Sequence, residues 1–157
     1  MNRKEQEGQK TQYLRAIFDA FPHPAFIVDA ELRIQDFNVA AKPLLGSAPA
    51  MALHRRSGEA LHCIHADLKG CGEGVFCKHC IIRRSAFKAL NGKGTHRELH
   101  KGELRSGNGT LSIELLITSS RLPDILPPRV LLVLEEVTKP AMAHKPRHGH
   151  GQAQVRD

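Results

Sequence analysis

Four cysteines lie within residues 63–80, and the chain of 157 residues contains no others. Their spacing is C-x7-C-x5-C-x2-C. Cysteine thiolates are ligands for zinc and iron, and a set of four suits either a tetrahedral zinc ion or an iron–sulfur cluster. The candidate ligands for such a metal centre are Cys63, Cys71, Cys77 and Cys80.

The residues around these cysteines favour a loop that wraps a bound centre. The C-x2-C pair, Cys77 and Cys80, can place two thiolates on one centre because the intervening backbone turns its amides toward the sulfurs. A helix predicted from Lys78 onward adds the positive end of its dipole, which favours the thiolate form. Glycines near Cys71 let the loop aim backbone N–H groups at the centre. These glycines are Gly70, Gly72 and Gly74.

The spacing favours an iron–sulfur cluster over zinc. Structural zinc sites are usually built from two C-x2-C pairs, and this segment has only one. A cluster is larger than a single ion and collects ligands from further apart, which suits irregular spacing interrupted by glycines. A domain with its own core also has less need of zinc for folding. Zinc, a thiol–disulfide switch, and cysteines that serve only packing remain as alternatives.

Three histidines flank the cysteines and are secondary candidates. His62, His65 or His79 could donate a hydrogen bond to a thiolate or replace a cysteine as ligand. If Cys63 is extended, His62 and His65 cannot both share its side, because neighbouring side chains alternate. A Cys77–His79 nucleophile is disfavoured, since residues two apart on a helix do not face each other. With no G-x-S-x-G, phosphate-binding loop or paired-carboxylate signature, we do not expect an enzyme.

The composition is that of a globular protein. Hydrophobic residues make up 41% and charged residues 25%, and a chain of this length buries a core without disulfides or metal. The net charge of +7 raises the question of nucleic acid, but the basic residues are scattered among acidic ones without interleaved aromatics, so we do not expect nucleic-acid binding. No apolar run reaches the ~18 residues of a membrane span, and no signal peptide is evident. We therefore expect a cytoplasmic protein without a membrane partner, in a compartment that keeps thiols reduced.

The elements before the cysteine segment are a helix, a hairpin and a short turn. Apolar residues at helical spacing predict an amphipathic helix over residues 11–21. Two short strands follow, at residues 25–29 and 33–37. Asn38 is suited to cap a short helical turn that ends at Gly46. The apolar stripe of the first helix consists of Leu14, Ile17, Phe18 and Phe21.

The elements after the cysteine segment are a helix and three strands. The helix is predicted over residues 78–91 and is closed by Gly92, with Asn108-Gly109 later forming a tight turn between strands. The core face of this helix is Ile82, Ala86, Ala89 and Leu90. The strands are predicted at residues 96–105, 110–122 and 129–138. Alternation on one sheet face predicts a core that includes Ile27, Leu111, Ile113, Leu115, Ile117, Leu132 and Leu134.

This order of elements resembles the PAS domain, an α+β fold with a five-stranded antiparallel sheet and flanking helices. The resemblance is carried by "FPHPAFIVDAELRIQDFNVAAKPLLG" at residues 21–46 and by "EEVT" at residues 135–138. The cysteine-rich segment, residues 62–80, is similar to that of a subgroup of bacterial PAS sensors. We accordingly divide the chain into an N-terminal amphipathic helix (1–21), a PAS-like sensor domain (22–139) and a disordered tail (140–157).

The resemblance implies a sensory, signal-transducing role. We expect a non-enzymatic PAS sensor, a homodimer, whose metal centre is a redox- or gas-responsive iron–sulfur cluster and whose output passes to a signalling partner protein in trans. One alternative is a PAS adaptor in which zinc only pins the loop. The other is a PAS domain that binds haem or another small ligand, with incidental cysteines.

Overall fold

The computed structural model describes residues 2–67 and 69–137. Its strands form one antiparallel sheet and are β1 (Ala25–Val28), β2 (Ile34–Phe37), β3 (Thr95–Ser106), β4 (Gly109–Arg121) and β5 (Val130–Glu136). They lie in the order β2-β1-β5-β4-β3, so β1 and β5 are neighbours in the sheet. The predicted α+β class, with five antiparallel strands and flanking helices, is confirmed.

Three α-helices and several 3₁₀ turns surround the sheet. The helices are α1 (Arg3–Ala20), α2 (Ser57–Ala60) and α3 (Ile81–Leu90). The 3₁₀ turns are Val39–Leu45, Pro49–Ala52, Ile64–Ala66 and Val75–His79. Among the helices of residues 2–67 and 69–137, none is both long enough and apolar enough to cross a membrane.

The first helix is longer than predicted. It begins at Arg3 because Asn2 and Glu5 form a capping box, in which the Asn2 side chain accepts from the Glu5 amide at 3.0 Å and the Glu5 carboxylate accepts from the Asn2 amide at 2.7 Å. Arg15 ties the helix to the domain, since its guanidinium donates to the Asp36 carboxylate at 2.8 Å and to the Phe37 carbonyl at 2.9 Å. None of its side chains is buried.

Asn38 links the segment before β1, the first residue of β1 and the following 3₁₀ turn, which it caps as predicted. Its buried side-chain oxygen accepts from the amides of Ala25 and Ala41, at 2.9 and 3.1 Å. Its amide nitrogen donates to the carbonyl of His23 at 2.9 Å. The 3₁₀ turn that Asn38 caps ends at Gly46, which adopts a positive φ of 80°. The predicted cap at Asn38 and the predicted end of the turn at Gly46 are both confirmed.

The core lies on one face of the sheet, beneath α3. Alternation along β4 buries three predicted core residues, and α3 contributes three more. Leu90 packs at the edge of this core and is half-buried. The buried residues are Ile113, Leu115 and Ile117 of β4 and Ile82, Ala86 and Ala89 of α3.

For two of the predicted core residues, the prediction of full burial is wrong. Leu111 is 54% exposed, because β5 pairs only with residues 115–121 of β4 and the earlier part of β4 extends beyond it. Ile27 is half-buried because Phe26 and Val28, its neighbours, point into the core and alternation turns Ile27 to the other face.

The turn between β3 and β4 is one residue earlier than predicted. Ser106 pairs with Gly109, so the turn residues are Gly107 and Asn108, and Gly109 already belongs to β4. Gly107 supplies the positive φ, 55°, that this turn requires. The disordered tail predicted at residues 140–157 and the final two residues of the predicted sensor domain, 138–139, lie outside the described residues.

Candidate metal centre

Cys63 is fixed between α2 and β3. Its backbone amide donates to the carbonyl of Gly58 at 2.8 Å, and the preceding carbonyl, of His62, accepts from the amide of Arg105 at 2.7 Å. Cys63 also forms an isolated antiparallel bridge with Leu104 of β3. These backbone bonds hold the thiol against the inner face of the sheet.

Cys71 packs on Gly58 of α2, next to Cys63. A side-chain carbon at Gly58 would lie 2.7 Å from the Sγ of Cys71 and 3.6 Å from the Cβ of Cys63. Real Cβ atoms essentially never approach so closely, so a side chain at position 58 would displace the Cys71 side chain. The two cysteines therefore meet over the second helix.

The C-x2-C pair lies where a 3₁₀ turn passes into α3. Cys77 is buried within Val75–His79, and its carbonyl accepts from the amide of Cys80 at 3.2 Å. Cys80 is the N-cap residue of α3. The predicted helix start at Lys78 is wrong, because Lys78 and His79 belong to the 3₁₀ turn and regular α-helix begins at Ile81.

All four cysteines are free thiols and line one cavity of about 280 Å³. Burial raises the pKa of the Cys63 thiol, and the nearby Cys80 and Cys77 raise it further, although amides of His65 and Ala66 donate toward this sulfur. Burial likewise raises the pKa of the Cys71 thiol, against hydrogen bonding from the Gly58 amide. The sequence segment thus brings its four thiols together, with backbone N–H groups directed at two of them.

The thiols surround the cavity and do not converge on a single point. Among the described residues, no three His, Cys, Asp or Glu side chains lie close enough to hold one metal ion. A tetrahedral zinc site requires Zn–S distances of about 2.3 Å to each of four thiolates. In the present arrangement, one ion would bind only after the side chains had moved inward.

Comparison with solved structures identifies the fold, whereas comparison with known sequences finds no match. No family model matches the sequence, and no curated protein sequence matches it significantly. Solved structures do match: a LOV protein of Rhodobacter sphaeroides aligns with a TM-score of 0.57 and 13% identity, over 87% of this chain and 71% of that one. A PAS domain of an HTR-like protein from Haloarcula marismortui aligns with a TM-score of 0.54 and 20% identity, over 86% of this chain and 98% of that one. The chain has the PAS fold.

A further PAS domain, from a two-component sensor histidine kinase, aligns with a TM-score of 0.54 and 11% identity, over 83% of this chain and 99% of that one. At these identities the likeness concerns the fold. The cysteine segment lies in the part of the PAS domain between the first two strands and the helix before β3.

The structure separates the three histidines that flank the cysteines. His65 and His79 line the cysteine cavity, and the His65 ring packs on Phe76 with ring centroids 4.7 Å apart. His62 is outside the lining, with its Nε2 3.6 Å from the position of a side-chain carbon at Gly46. The prediction that His62 and His65 lie on different sides therefore agrees with the fold, whereas metal ligation by any histidine stays a prediction.

Sequence reasoning missed residues that reach the cysteine cavity from other elements. His100 of β3 lines it, and burial lowers the pKa of this imidazole. Gly102, two residues on, leaves room for the ring, since a side-chain carbon there would lie 2.9 Å from the Nε2 of His100. Arg83 of α3 also lines the cavity, with its guanidinium against Gly72.

Two sequence patterns, strand alternation along β3 and helical spacing after Cys80, relate these residues to the cysteines. His100, Gly102 and Leu104 alternate along β3 and so share one face, which is the face that Cys63 meets. Arg83 follows Cys80 by three residues, the spacing at which helical side chains are neighbours. Neither pattern identifies a site until the strand and helix are known to pass the cysteine segment.

Proposed function

We propose that this PAS domain is a sensory module of the cysteine-rich kind in which Cys63, Cys71, Cys77 and Cys80 jointly hold one iron–sulfur cluster that responds to redox state or to a gas. The observation that supports this most strongly is the shared cavity, which is lined by all four free thiols of the cysteine segment. The PAS domain of a sensor histidine kinase among the similar structures supports a signalling role.

The donor set fits a cluster better than it fits one ion. Four thiolates are the usual ligands of [4Fe–4S] and [2Fe–2S] clusters. The thiols stand around a cavity, and a cluster extends over several atoms and takes its ligands from further apart than zinc does. Backbone amides donate toward the sulfurs of Cys63 and Cys71, although burial, which has the larger effect, raises the pKa of both thiols. When bound, a cluster would supply reversible one-electron chemistry.

Residues of this chain connect the cavity to the rest of the domain. Cys80 is the N-cap of α3, where its backbone carbonyl accepts from the amide of Arg84 at 3.0 Å, so a shift of the backbone at Cys80 changes the start of that helix. The buried side chains Ile82, Ala86 and Ala89 pack α3 against the sheet. A change at the cysteines therefore passes into a rigid element that contacts the sheet, which is the kind of two-state helix shift that sensors use.

The output of the module is proposed to be non-enzymatic and cytoplasmic, through a homodimer and a partner protein in trans. Three of the four residues of the predicted stripe support dimerisation, since Leu14, Ile17 and Phe21 are 60%, 68% and 42% exposed, whereas Phe18 is half-buried. A second copy of α1 would cover these side chains and remove apolar surface from water.

The experiment that tests the metal centre is anaerobic purification followed by iron, sulfide and zinc analysis and an absorption spectrum. We expect a brown protein with equal amounts of iron and sulfide, whose visible absorption bleaches in air. A colourless protein that contains zinc would support the adaptor alternative instead. A sharp haem absorption would support the small-ligand alternative. Protein without metal after anaerobic preparation would return the cysteines to thiol chemistry or packing.

A further inference from the structure

The solvent side of α3 bears an open groove of about 520 Å³ that lies next to the cysteine cavity. Five basic side chains and one aromatic ring, that of Phe87, line it. The basic residues are Lys78, Arg83, Arg84, Lys88 and Lys93. They come from the turn before the helix, the helix itself and the segment after it.

The positive charge of the groove is mostly uncompensated. Glu98 on β3 pairs with Arg84 at 2.7 Å and with Lys88 at 3.7 Å. Within the described part of the chain, Lys78, Arg83 and Lys93 take part in no ion pair. One carboxylate therefore faces five cations, and such a cleft attracts anionic partners.

The length of the groove favours an elongated occupant. The ten residues of α3 span about 15 Å, and Lys78 and Lys93 lie beyond its two ends. A small anion would contact only one or two of these cations. A chain of carboxylates, by contrast, extends far enough to reach the cations at both ends of the groove and those between them.

A polypeptide fits this groove better than a nucleic acid. Single-stranded nucleic acids are held by basic grooves together with aromatic faces on which bases stack. Here the one aromatic face is already covered, because the Arg83 guanidinium lies 5.0 Å from the centre of the Phe87 ring.

We propose that the groove of α3 binds an acidic polypeptide segment of a partner protein. This inference rests on the proposed function for its signalling role, since it names the surface and the chemistry of the partner in trans, while the binding itself does not require the metal. Arg83 and Cys77 line both the groove and the cysteine cavity, and the Arg83 guanidinium packs on Gly72 of the cysteine segment. The cysteine segment thus forms one wall of the docking surface.

The test measures fluorescence anisotropy of three probes with the full chain: a Glu-rich peptide, the same peptide with every Glu replaced by Gln, and a single-stranded DNA oligonucleotide. We expect the Glu-rich peptide to bind most tightly, and its binding to weaken as salt screens the charges. Lys78→Glu combined with Lys93→Glu should weaken it by about tenfold or more at low salt, because two attractions become repulsions. Lys78→Gln with Lys93→Gln should give a smaller loss.

Lys4→Glu combined with Arg55→Glu is the matched control, since it changes the net charge equally at exposed residues outside the groove. It should alter peptide binding by no more than about twofold. The proposal is overturned if the Gln peptide or the DNA binds as tightly as the Glu-rich peptide, or if the groove variant behaves like its control. Metal analysis of the same preparations is independent: protein with iron and sulfide but no peptide preference would overturn the groove alone, and peptide binding by metal-free protein would overturn only the metal centre.

Discussion

Cys71 packs so closely on Gly58 that a side chain at position 58 would displace it. We predict that Gly58→Ala lowers the free energy of unfolding by about 1–3 kcal/mol, since the new carbon would lie 2.7 Å from the Cys71 sulfur and force it to move. Metal content should fall with it. Chemical denaturation and metal analysis give the two readouts.

Gly8→Ala is the natural control for this substitution. No atom lies within 4 Å of a side-chain carbon at Gly8, which is inside α1. Alanine there should raise the free energy of unfolding by about 0.5–1 kcal/mol and leave metal content unchanged. Equal effects of the two substitutions would show that Cys71 is not held by the close approach at Gly58.

The cysteines themselves are tested by single substitutions to serine. A hydroxyl binds iron and zinc much more weakly than a thiolate, so Cys77→Ser and Cys80→Ser should each remove most of the bound metal. Met51→Ser, which removes an exposed sulfur outside the cavity, should not. Full metal content in all four single cysteine variants would contradict joint ligation.

His100 should make stability depend on pH. Burial lowers the pKa of this imidazole below its ordinary value, so below about pH 7 the unfolded chain binds a proton that the folded chain does not. The free energy of unfolding should therefore decrease as the pH falls toward the lowered pKa, and this contribution should then level off.

The test is to measure denaturation curves of the His100→Gln variant between about pH 5 and pH 8. In this variant the free energy of unfolding should decrease less as the pH falls. His96→Gln, at an exposed histidine of the same strand, should keep the full decrease. If both variants follow the unchanged protein, the His100 imidazole does not control this pH dependence.

At the scale of elements, the described part of the domain leaves Leu14 and Ile17 of α1, and Phe21 just after it, exposed to solvent, while Phe18 is half-buried. We predict that deletion of residues 1–21 converts a dimer into a monomer, because Leu14, Ile17 and Phe21 would lose the partner that covers them. Light scattering gives the mass in solution. Leu14→Ser with Ile17→Ser should weaken the dimer similarly, whereas Gln12→Ser, an exposed polar position, should not. A dimer that survives the deletion would exclude α1 as the interface.

The regular elements could be predicted from local patterns, because their causes are local. Alternation predicted the strands, and the capping role of Asn38 followed from its position before an apolar turn. The predictions failed where a neighbour decides the outcome: Leu111 is exposed because β5 ends before reaching it, and α3 starts at Ile81 because Lys78 and His79 are held in a 3₁₀ turn.

The cysteines of the candidate site could be predicted from the sequence, whereas most of the residues around them could not. The four cysteines are conspicuous in sequence, and the fold brings them to one cavity. Gly58, Arg83 and His100 could not be assigned to it, since their relevance depends on how α2, α3 and β3 pass the cysteine segment. Such packing is set by the whole core, and local spacing does not encode it.

At the scale of the whole molecule, the sheet has an aliphatic core to which the cysteines contribute only Cys80, packed at its edge. Removal of the metal should therefore leave the sheet intact and loosen α3, whose N-cap is Cys80. Hydrogen exchange before and after metal removal checks this: amides of Ile81–Leu90 should exchange faster, while those of β4 and β5 should not change. Uniformly faster exchange would mean that the metal stabilises the entire fold, as in a structural zinc domain.

The central position of β5 has a consequence for synthesis on the ribosome. β1 emerges early, yet Ala25 pairs with Val133, so one edge of β1 has no partner until the cysteine segment and the β3–β4 hairpin have been translated. Contacts between such distant parts of a chain form late, because the loop between them must first be closed. The bridge between Cys63 and Leu104 likewise cannot form until β3 has been translated, so the cysteine segment is anchored to the sheet only after most of the chain has left the ribosome.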